Sequence, residues 1–419
     1  MAVKNRLIST HDLQVGMYVS QLDRPWIETP FPLQGFHIRS EDDIQKLRVW
    51  CKQIYIDCQL GKAPMEVAPL SGQGRKAAVG GASHKVIGAL GKFTPVRYPV
   101  SEGLRKEVVT AGVYHREITR AMIHLLKGLR EGKSLNLRVA RKAAAVMVHS
   151  VLRNPDAMVW LARLKDVDSY SYAHSIRASI LATVFGRHIG LPKEILENLA
   201  TGVLLMDVGK TRLSRALLSG TGKLSDDQWK EMRRHVEYGV DLLQHTGSVN
   251  DQMLAVVQYH HERFDGTGYP YGLSGSQIPL LARIAGIVDT YDAITSPRPW
   301  AEARTSSEAV SLLYEQRDKG FQGTLVEQFI QSIGVYPTGT MVELSNRQVG
   351  VVIAQNPARR LRPKVMVVLD ESHQKLNQPR VIDLLKVQED DAGSTLSISG
   401  CLRSGMYDVD LASLQINSA

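Results

Sequence analysis

Apolar and polar residues alternate in two short segments near the start of the chain. Leu13–Val19 and Gln53–Asp57 both follow this period of two, which is typical of half-buried strands. Between them, Ser40–Asp43 carries the capping signature that opens a helix, and we expect that helix to run through Trp50. These patterns predict a small β-rich N-terminal domain over residues 1–61.

The next part of the chain loses this regularity. Residues 62–110 are rich in Gly, Ala, Ser and Pro over most of their length, which favours a flexible linker. Helical periodicity begins near Gly112 and continues to Leu152, and it predicts a helical connector over residues 111–150. One apolar face of that connector contains Ile118, Met122, Leu125 and Leu126.

Residues 151–335 have a nearly continuous helical pattern. Two capping boxes are predicted inside this segment, one from Ser225 with Gln228 and one from Thr305 with Glu308. Loop residues interrupt the helical pattern only over short stretches. A compact helical domain is therefore expected here.

The pattern changes again after Tyr336. The segments Met341–Leu344, Val349–Ile353 and Lys364–Leu369 are β-like. They predict a C-terminal β extension over residues 336–419. The fold class that follows is mainly α, with a helical core flanked by a small N-terminal β-rich domain and a small C-terminal β unit.

Composition restricts the class of protein. The chain has 419 residues, of which 43% are apolar and 22% are charged, as in soluble globular proteins of two or three domains. No apolar run approaches the ~20 residues of a membrane span, and no signal peptide is recognised. The 3 cysteines are too few for a disulfide framework, which favours a reducing compartment. A cytoplasmic protein is expected.

The formal net charge is +9, and the basic residues are clustered. The two clusters are Arg130, Lys133, Arg138, Arg141 and Lys142, and Arg359, Arg360, Arg362 and Lys364. Neither cluster contains a nucleic-acid motif or an aromatic stacking platform. We therefore interpret them as solvated surfaces and expect no nucleic-acid polymer as a partner.

The segment His260–Pro270 carries the most informative chemistry, because two adjacent imidazoles lead into a glycine-rich turn. Further candidate metal ligands lie in or beside helical patterns, namely His174, Asp207, His235 and Asp289. Buried carboxylates need a paired charge or a cation, and mixed imidazole and carboxylate ligands suit Fe, Mn or Zn. On a helix, His260 and His261 would point ~100° apart, so only one of them would face a single ion, whereas two ions would accommodate both.

Taken in order, these residues resemble the HD-GYP family of HD phosphohydrolases, whose members hydrolyse cyclic di-GMP. The resemblance covers roughly residues 150–335. Its elements are His174-Ser175, Asp207-Val208-Gly209-Lys210, His235, the His260–Pro270 signature, Asp289 with Tyr291-Asp292-Ala293, and Arg298-Pro299. The segments Val15–Val19 and Ile54–Asp57 also resemble the domain of unknown function that often precedes HD-GYP domains.

The resemblance implies two divalent metal ions, Fe or Mn, with Zn as the alternative. One ion would be held by His174, Asp207 and Asp289, and the other by Asp207, His235, His260 and His261. Catalysis is assigned to Asp207 and Lys210, and hydrolysis would give the linear dinucleotide pGpG, GMP or both.

Substrate binding is assigned to Arg298, Tyr269, Gly268 and Lys210. Lys210 lies three residues after Asp207, and on a continued helix it would share nearly the same face. The glycines of Gly266-Thr267-Gly268 are expected to accept positive φ and so to let the backbone approach the ligand closely.

Three positions depart from the family pattern. Met206 replaces the namesake His before Asp207, and a thioether is a poor ligand at such a site. Ala301 stands where a second basic residue often follows Arg298. Tyr170 stands where some members have a Glu that supports a third ion, so three ions are not expected.

These departures leave two alternatives to an enzyme. The chain could be a catalytically degenerate receptor that binds cyclic di-GMP through Arg298 and the loop around Tyr269. It could also be a protein-interaction module whose Gly268-Tyr269-Pro270 loop contacts diguanylate cyclase (GGDEF) domains. A homodimer is a further candidate assembly.

Overall fold

The computed structural model describes residues 5–24, 36–38, 40–57, 62, 93–164, 170–220, 222–297, 302–356, 359–387, 389, 396–403, 406–409 and 414. The chain forms two compact units. The first contains residues 1–89 and 356–361, and the second contains residues 90–355 and 362–419.

The first unit is a four-stranded antiparallel sheet with one helix. Its strands are β1 (Asn5–Ser9), β2 (Tyr18–Leu22), β3 (Phe36–His37) and β4 (Gln53–Asp57), in the order β1-β4-β2-β3. The helix is α1 (Glu41–Trp50), and a short 3-10 helix covers Thr10–Asp12. Ser40 and Asp43 form the predicted capping box of α1. Ile44, Leu47, Ile54 and Ile56 are buried in its core.

The strand predicted at Leu13–Val19 is wrong over most of its length. The strand begins at Tyr18, and Gly16 before it has a φ of +98°, a turn conformation that favours glycine. Leu13, Met17 and Val19 are nonetheless all buried. The alternation in the sequence therefore reports burial against the core and not a continuous strand.

The second unit is mainly helical. Its helices are α2 (Leu104–Arg130), α3 (Leu137–Arg153), α4 (Pro155–Leu164), α5 (Tyr170–His188), α6 (Lys193–Leu205), α7 (Arg215–Ser219), α8 (Asp226–Arg233), α9 (His235–Gln244), α10 (Asp251–Tyr259), α11 (Leu280–Thr295), α12 (Ser306–Glu315) and α13 (Gly323–Ile333). Short 3-10 helices cover Val208–Arg212, Gly275–Gln277 and Met406–Asp408. The predicted capping boxes at Ser225 and Thr305 are present.

Helix α5 is the centre of this unit, and it packs against α3, α4, α6, α11 and α13. Its Phe185 meets Phe329 of α13 edge to face, and Phe329 meets Tyr291 of α11 in the same way. All three rings are fully buried. This aromatic contact fixes α5 against α11, and those two helices carry His174 and Asp289.

Helix α2 starts at Leu104, earlier than the periodicity near Gly112 predicts. The reason is Glu107, a charged residue on the buried face of the helix that interrupts the apolar pattern. Arg153 of α3 donates two hydrogen bonds to it, at 2.7 and 2.8 Å, and Ser150 donates a third. A buried carboxylate requires such partners.

The C-terminal strands form a five-stranded antiparallel sheet. They are β5 (Met341–Leu344), β6 (Val349–Ala354), β7 (Lys364–Leu369), β8 (Lys375–Asp383) and β9 (Ile398–Cys401), in the order β8-β7-β6-β5-β9. The first three lie where the sequence predicts them, and β8 and β9 were not predicted.

The predicted fold class is confirmed, because a helical core lies between small β sheets at both ends of the chain. Across the described part of the chain, each helix is too short or too polar to cross a bilayer. The division into five segments and the cytoplasmic location stay predictions, and most of the expected linker lies outside the described residues.

Replacing Arg153 with Ala tests the buried pair. The Glu107 side chain is only 2% exposed and that of Arg153 is 20% exposed, so among the described residues the variant leaves the buried carboxylate with only Ser150 as a side-chain partner. Loss of one partner of such a pair costs about 3 kcal/mol of unfolding free energy, measured by urea unfolding. The control is Lys106→Ala, which removes an exposed pair with Glu102 and costs less than about 1 kcal/mol. Equal effects of the two variants would contradict the assignment.

Candidate metal centre

Asp207 lies where the chain leaves one helix and enters a tighter one. Helix α6 ends at Leu205, Met206 caps it, and a 3-10 helix begins at Val208. Gly209 in this 3-10 helix packs directly on α9, since a Cβ at position 209 would lie 1.9 Å from the carbonyl oxygen of His235. The absent side chain lets the Asp207 segment reach His235, whose Nε2 is 3.5 Å from Asp207 Oδ1.

Lys210 contacts the same carboxylate, as its Nζ is 2.6 Å from Asp207 Oδ2. The sequence predicts that Lys210 shares nearly the same face as Asp207 if the α-helix continues through Gly209. The α-helix instead ends, and the 3-10 turn brings residues three apart into nearly eclipsed positions. The pair is partly open to solvent, because the side chain of Lys210 is 26% exposed.

His235 and His260 have the same hydrogen-bonding arrangement. The Nδ1 of each lies close to a backbone carbonyl, at 2.7 Å from Met232 O and 2.9 Å from Val257 O. A carbonyl only accepts, so each Nδ1 carries the proton and each Nε2 carries a lone pair. Both Nε2 atoms are buried, and neither has a hydrogen-bond partner among the described residues. Such an arrangement leaves the two lone pairs available to a cation.

His261 joins this pair. Helix α10 ends at Tyr259 and His260 is its C-cap, so the helical geometry that would separate the adjacent imidazoles does not apply. Their ring centroids are 4.1 Å apart. One ligand atom from each of Asp207, His235, His260 and His261 lies within 4.8 Å of the others, and this group could hold a metal ion.

His174 and Asp289 adjoin this group on the other side of Asp207. His174 Nε2 is 3.0 Å from Asp289 Oδ1 and 3.9 Å from Asp207 Oδ2. Asp289 Oδ2 is in turn 4.0 Å from His261 Nδ1. The six predicted metal ligands therefore form one continuous cluster with Asp207 near its middle.

Asp292 orients His174, a role that the sequence analysis did not assign. Its Oδ2 is 2.8 Å from His174 Nδ1. Arg177 binds both carboxylate oxygens of Asp292, at 2.8 and 3.0 Å, and also donates to Ser296. Carboxylates of this kind fix the orientation of metal-binding imidazoles. The available signal was the Tyr291-Asp292-Ala293 match, which specified no role.

The protonation states of the cluster follow from burial and charge. Burial lowers the pKa of His235 to about 4 and also lowers the pKa values of His260 and His261, so these imidazoles are neutral at pH 7. Burial alone would raise the pKa of Asp207, but Lys210 and His235 hold it below its usual range. Neutral imidazoles and ionised carboxylates are the forms that bind metals.

His174 differs from the other three imidazoles. Burial alone would lower its pKa, but hydrogen bonds to Asp289 and Asp292 outweigh burial and raise the pKa to about 9. Without a metal, both ring nitrogens of His174 are therefore protonated and donate hydrogen bonds to Asp292 and Asp289. A cation bound between His174 and Asp289 would take the place of the Nε2 proton.

The loop that follows the histidines is held by Glu262. This buried side chain accepts hydrogen bonds from the backbone N–H groups of Tyr271 and Leu273, at 2.7 and 2.9 Å. The expectation for the glycines is right only for Gly266, which has a φ of +82°. Gly268 is not in that region, and its requirement is close packing, because a Cβ there would lie 2.3 Å from Arg263 N.

Tyr269 connects the loop to the cluster. Its ring stacks on His261 with centroids 4.6 Å apart, and the guanidinium carbon of Arg233 lies 4.9 Å from the Tyr269 centroid. Arg233 was not singled out from the sequence, since nothing in its local pattern indicates this contact. Met206 is fully buried. Arg298 and Ala301 lie outside the described residues, as does the side chain of Tyr170.

Three protein families match the chain. Residues 159–325 match the HD domain, residues 5–140 match a domain of unknown function (DUF3391), and residues 341–389 match a KOW domain associated with HD domains. The HD match contains all six residues of the cluster.

Relatives of known activity resemble the chain to different extents. A cyclic di-GMP phosphodiesterase of Pseudomonas aeruginosa is 31% identical over 386 residues, which cover 92% of this chain and 90% of that protein. A cyclic di-GMP phosphodiesterase response regulator of Xanthomonas campestris is 32% identical over 57% of this chain and 64% of its own length. A 3'3'-cGAMP-specific phosphodiesterase of Vibrio cholerae is 31% identical over 38% of this chain and 31% of its own length.

Replacing Asp292 with Ala tests the positioning of His174. Removal of an outer carboxylate typically costs 10–100-fold in metal affinity, and we expect a loss in that range in Mn(II) titrations followed by paramagnetic resonance. Asp292→Asn keeps an acceptor for His174 and should lose less. The matched control is Asp241→Asn, whose carboxylate forms an exposed pair with Arg212 and should leave the affinity unchanged. Unchanged affinity in Asp292→Ala would remove this role.

Proposed function

Because the chain belongs to the HD-GYP family of HD phosphohydrolases, we propose that it is a metal-dependent phosphodiesterase that hydrolyses cyclic di-GMP. The family membership follows from the Pseudomonas relative, which matches nearly the whole of both chains. Two of the relatives described above are named for cyclic di-GMP. The products proposed are the linear dinucleotide pGpG, GMP or both.

The observation that carries this proposal is a pair of buried Nε2 atoms beside Asp207, those of His235 and His260, which have no hydrogen-bond partner among the described residues. Lone pairs left in this way cost free energy unless a ligand uses them. We assign one divalent ion to Asp207, His235, His260 and His261, and a second to His174, Asp207 and Asp289. Fe or Mn suits these ligands, and Zn is the alternative.

Such ions, when bound, lower the pKa of water and polarise phosphoryl oxygens. The chain supplies the remaining functions. Asp207 sits between the two assigned ligand sets, because its two oxygens face His235 and His174. Lys210 contacts Asp207 and its side chain is 26% exposed, so its ammonium can donate to a phosphate oxygen and stabilise charge that develops during cleavage.

The glycine-rich loop supplies the substrate side of the site. The backbone at Gly268 lies against Glu262 and Arg263, and Tyr269 lies over His261. Burial raises the pKa of Tyr269, and the carboxylates of Asp289 and Asp207 add to this effect, so the phenol stays a hydrogen-bond donor. We propose that Tyr269 and Gly268 contact the dinucleotide and that Arg298 binds its phosphate or guanine.

Replacing Asp207 with Ala tests the assignment. The carboxylate faces both ligand sets, so we expect loss of bound metal and a fall in cyclic di-GMP turnover of more than about 100-fold, above the range seen for outer ligands. Protein purified without oxygen is loaded with Fe(II) or Mn(II), its metal content is measured, and the products are separated by chromatography. Asp241→Asn again serves as the control with an exposed carboxylate.

Two results would contradict the assignment. The first is turnover that survives in Asp207→Ala. The second is a wild-type protein that carries metal but releases neither linear dinucleotide nor GMP.

Met206 favours one alternative function, a receptor that binds cyclic di-GMP without cleaving it. The residue is fully buried beside Asp207 and offers no imidazole to the first ion. The four-residue group around His235 does not require it, and for this reason we place the enzyme first. Binding of GGDEF domains by the Gly268-Tyr269-Pro270 loop and formation of a homodimer stay predictions.

The variant Met206→His separates enzyme from receptor. If the wild-type site is competent without this imidazole, kcat for cyclic di-GMP changes by less than about tenfold, equivalent to 1.4 kcal/mol. The kcat values of metal-loaded wild-type and variant proteins are compared at equal metal content. A rise from almost no turnover to clear turnover would support the receptor and contradict the wild-type enzyme.

A further inference from the structure

Helix α8 carries a surface that the assigned metal ligands do not use. Asp226, Trp229, Lys230 and Arg233 line a cleft of about 300 Å³, which we call the Trp229 cleft. Their spacing of three, four and seven residues places them on one face of the helix. A volume of ~300 Å³ lies at the lower end of small-molecule sites, so the cleft suits part of a dinucleotide.

Trp229 gives the cleft an aromatic wall. Trp229 is 48% exposed, so the face of its indole ring is open to a ligand. Indole rings stack well on nucleobases, because every base presents a π-face. Among the described residues, the adjacent Lys230 pairs only with Asp227, and both of these side chains are largely exposed, so its ammonium remains available to an anion.

Arg233 connects the Trp229 cleft to the metal centre. Its guanidinium lies over Tyr269, and Tyr269 stacks on His261. Among the described residues, the Arg233 side chain has no hydrogen bond or ion pair, and its recorded contact is the one with the Tyr269 ring. Its N–H groups can therefore bind a phosphate in the bidentate manner that suits guanidinium.

The order of the four residues along α8 matches the order of chemical groups in a nucleotide, from the phosphate to the base. Arg233 is at the end near Tyr269, and Asp226 is seven residues away, about 10 Å along the axis at 1.5 Å per residue. A phosphate on Arg233 would therefore leave the attached base near Trp229 and Asp226. The N1–H and 2-amino groups of guanine donate hydrogen bonds that a carboxylate accepts, and adenine presents no such pair.

We propose that the Trp229 cleft is a subsite for one guanine nucleotide of the cyclic dinucleotide, an inference that rests on the proposed function. Trp229 stacks on the base, Asp226 accepts from its guanine edge, and Lys230 and Arg233 bind a phosphate. The cleft determines affinity and the choice between guanine and adenine, while hydrolysis takes place at the metal centre.

Steady-state kinetics of the metal-loaded full-length chain test this subsite. Trp229→Ala and Arg233→Ala should each raise KM for cyclic di-GMP by about tenfold, a typical effect of losing one stacked base, with little change in kcat. Trp229→Phe should restore most of the affinity. Asp226→Ala should lower the preference for cyclic di-GMP over 3'3'-cGAMP, measured as the ratio of their kcat/KM values.

The matched control is Arg234→Ala. Arg234 adjoins Arg233 but pairs with Glu231 and lies over Tyr238, so its loss should leave KM unchanged. Unchanged KM in both Trp229→Ala and Arg233→Ala, or a fall in kcat alone, would overturn the subsite. An unchanged substrate ratio in Asp226→Ala would overturn the recognition of guanine.

Direct binding separates failure of the subsite from failure of the proposed function. If the wild-type chain hydrolyses cyclic di-GMP and the variants behave like it, only the subsite is wrong. If the wild-type chain does not hydrolyse it, calorimetric titration with cyclic di-GMP decides. Binding that is weakened about tenfold in Trp229→Ala supports the subsite without hydrolysis, and absence of binding overturns both.

Discussion

The carboxylate of Asp207 is buried among positively charged and metal-binding groups, and the rest of the site depends on balancing its charge. Lys210 lies 2.6 Å away, His235 lies 3.5 Å away and His174 lies 3.9 Å away. A lone carboxylate in this position would cost several kcal/mol. Lys210 supplies one positive charge, and the Nε2 atoms of His235 and His260, which have no hydrogen-bond partner among the described residues, are available to a cation that would supply more.

The fold brings these residues together at the ends of helices and through close backbone contacts. Helix α6 stops before Asp207, helix α10 stops before His260, and Gly209 removes the side chain that would separate Asp207 from His235. The aromatic contact between α5, α11 and α13 holds His174 opposite Asp289. Each candidate ligand thus comes from a place where the backbone is fixed by packing, as preorganised metal sites require.

Much of this arrangement could be predicted from the sequence. The helical core and its caps follow local rules, and the candidate metal ligands follow an ordered motif whose members lie together in the structure. Features set by tertiary contacts escaped prediction. The start of α2 was missed because Glu107 interrupts the apolar pattern, and its partner Arg153 is distant in sequence. The contact of Asp292 with His174 and that of Arg233 with Tyr269 also join residues that are far apart along the chain. The alternation at Leu13–Val19 predicted too long a strand, because a non-strand segment with alternately buried residues has the same two-residue period as a half-buried strand.

A structure of the Mn(II)-loaded protein with anomalous diffraction data would show whether Asp207 joins two metal ions. We expect two ions, both in contact with Asp207, one beside His235, His260 and His261 and the other beside His174 and Asp289. We also expect that the hydrogen bond between His174 and Asp289 is replaced by metal contacts. A single ion in the His235 group, with that hydrogen bond intact, would contradict the two-ion account.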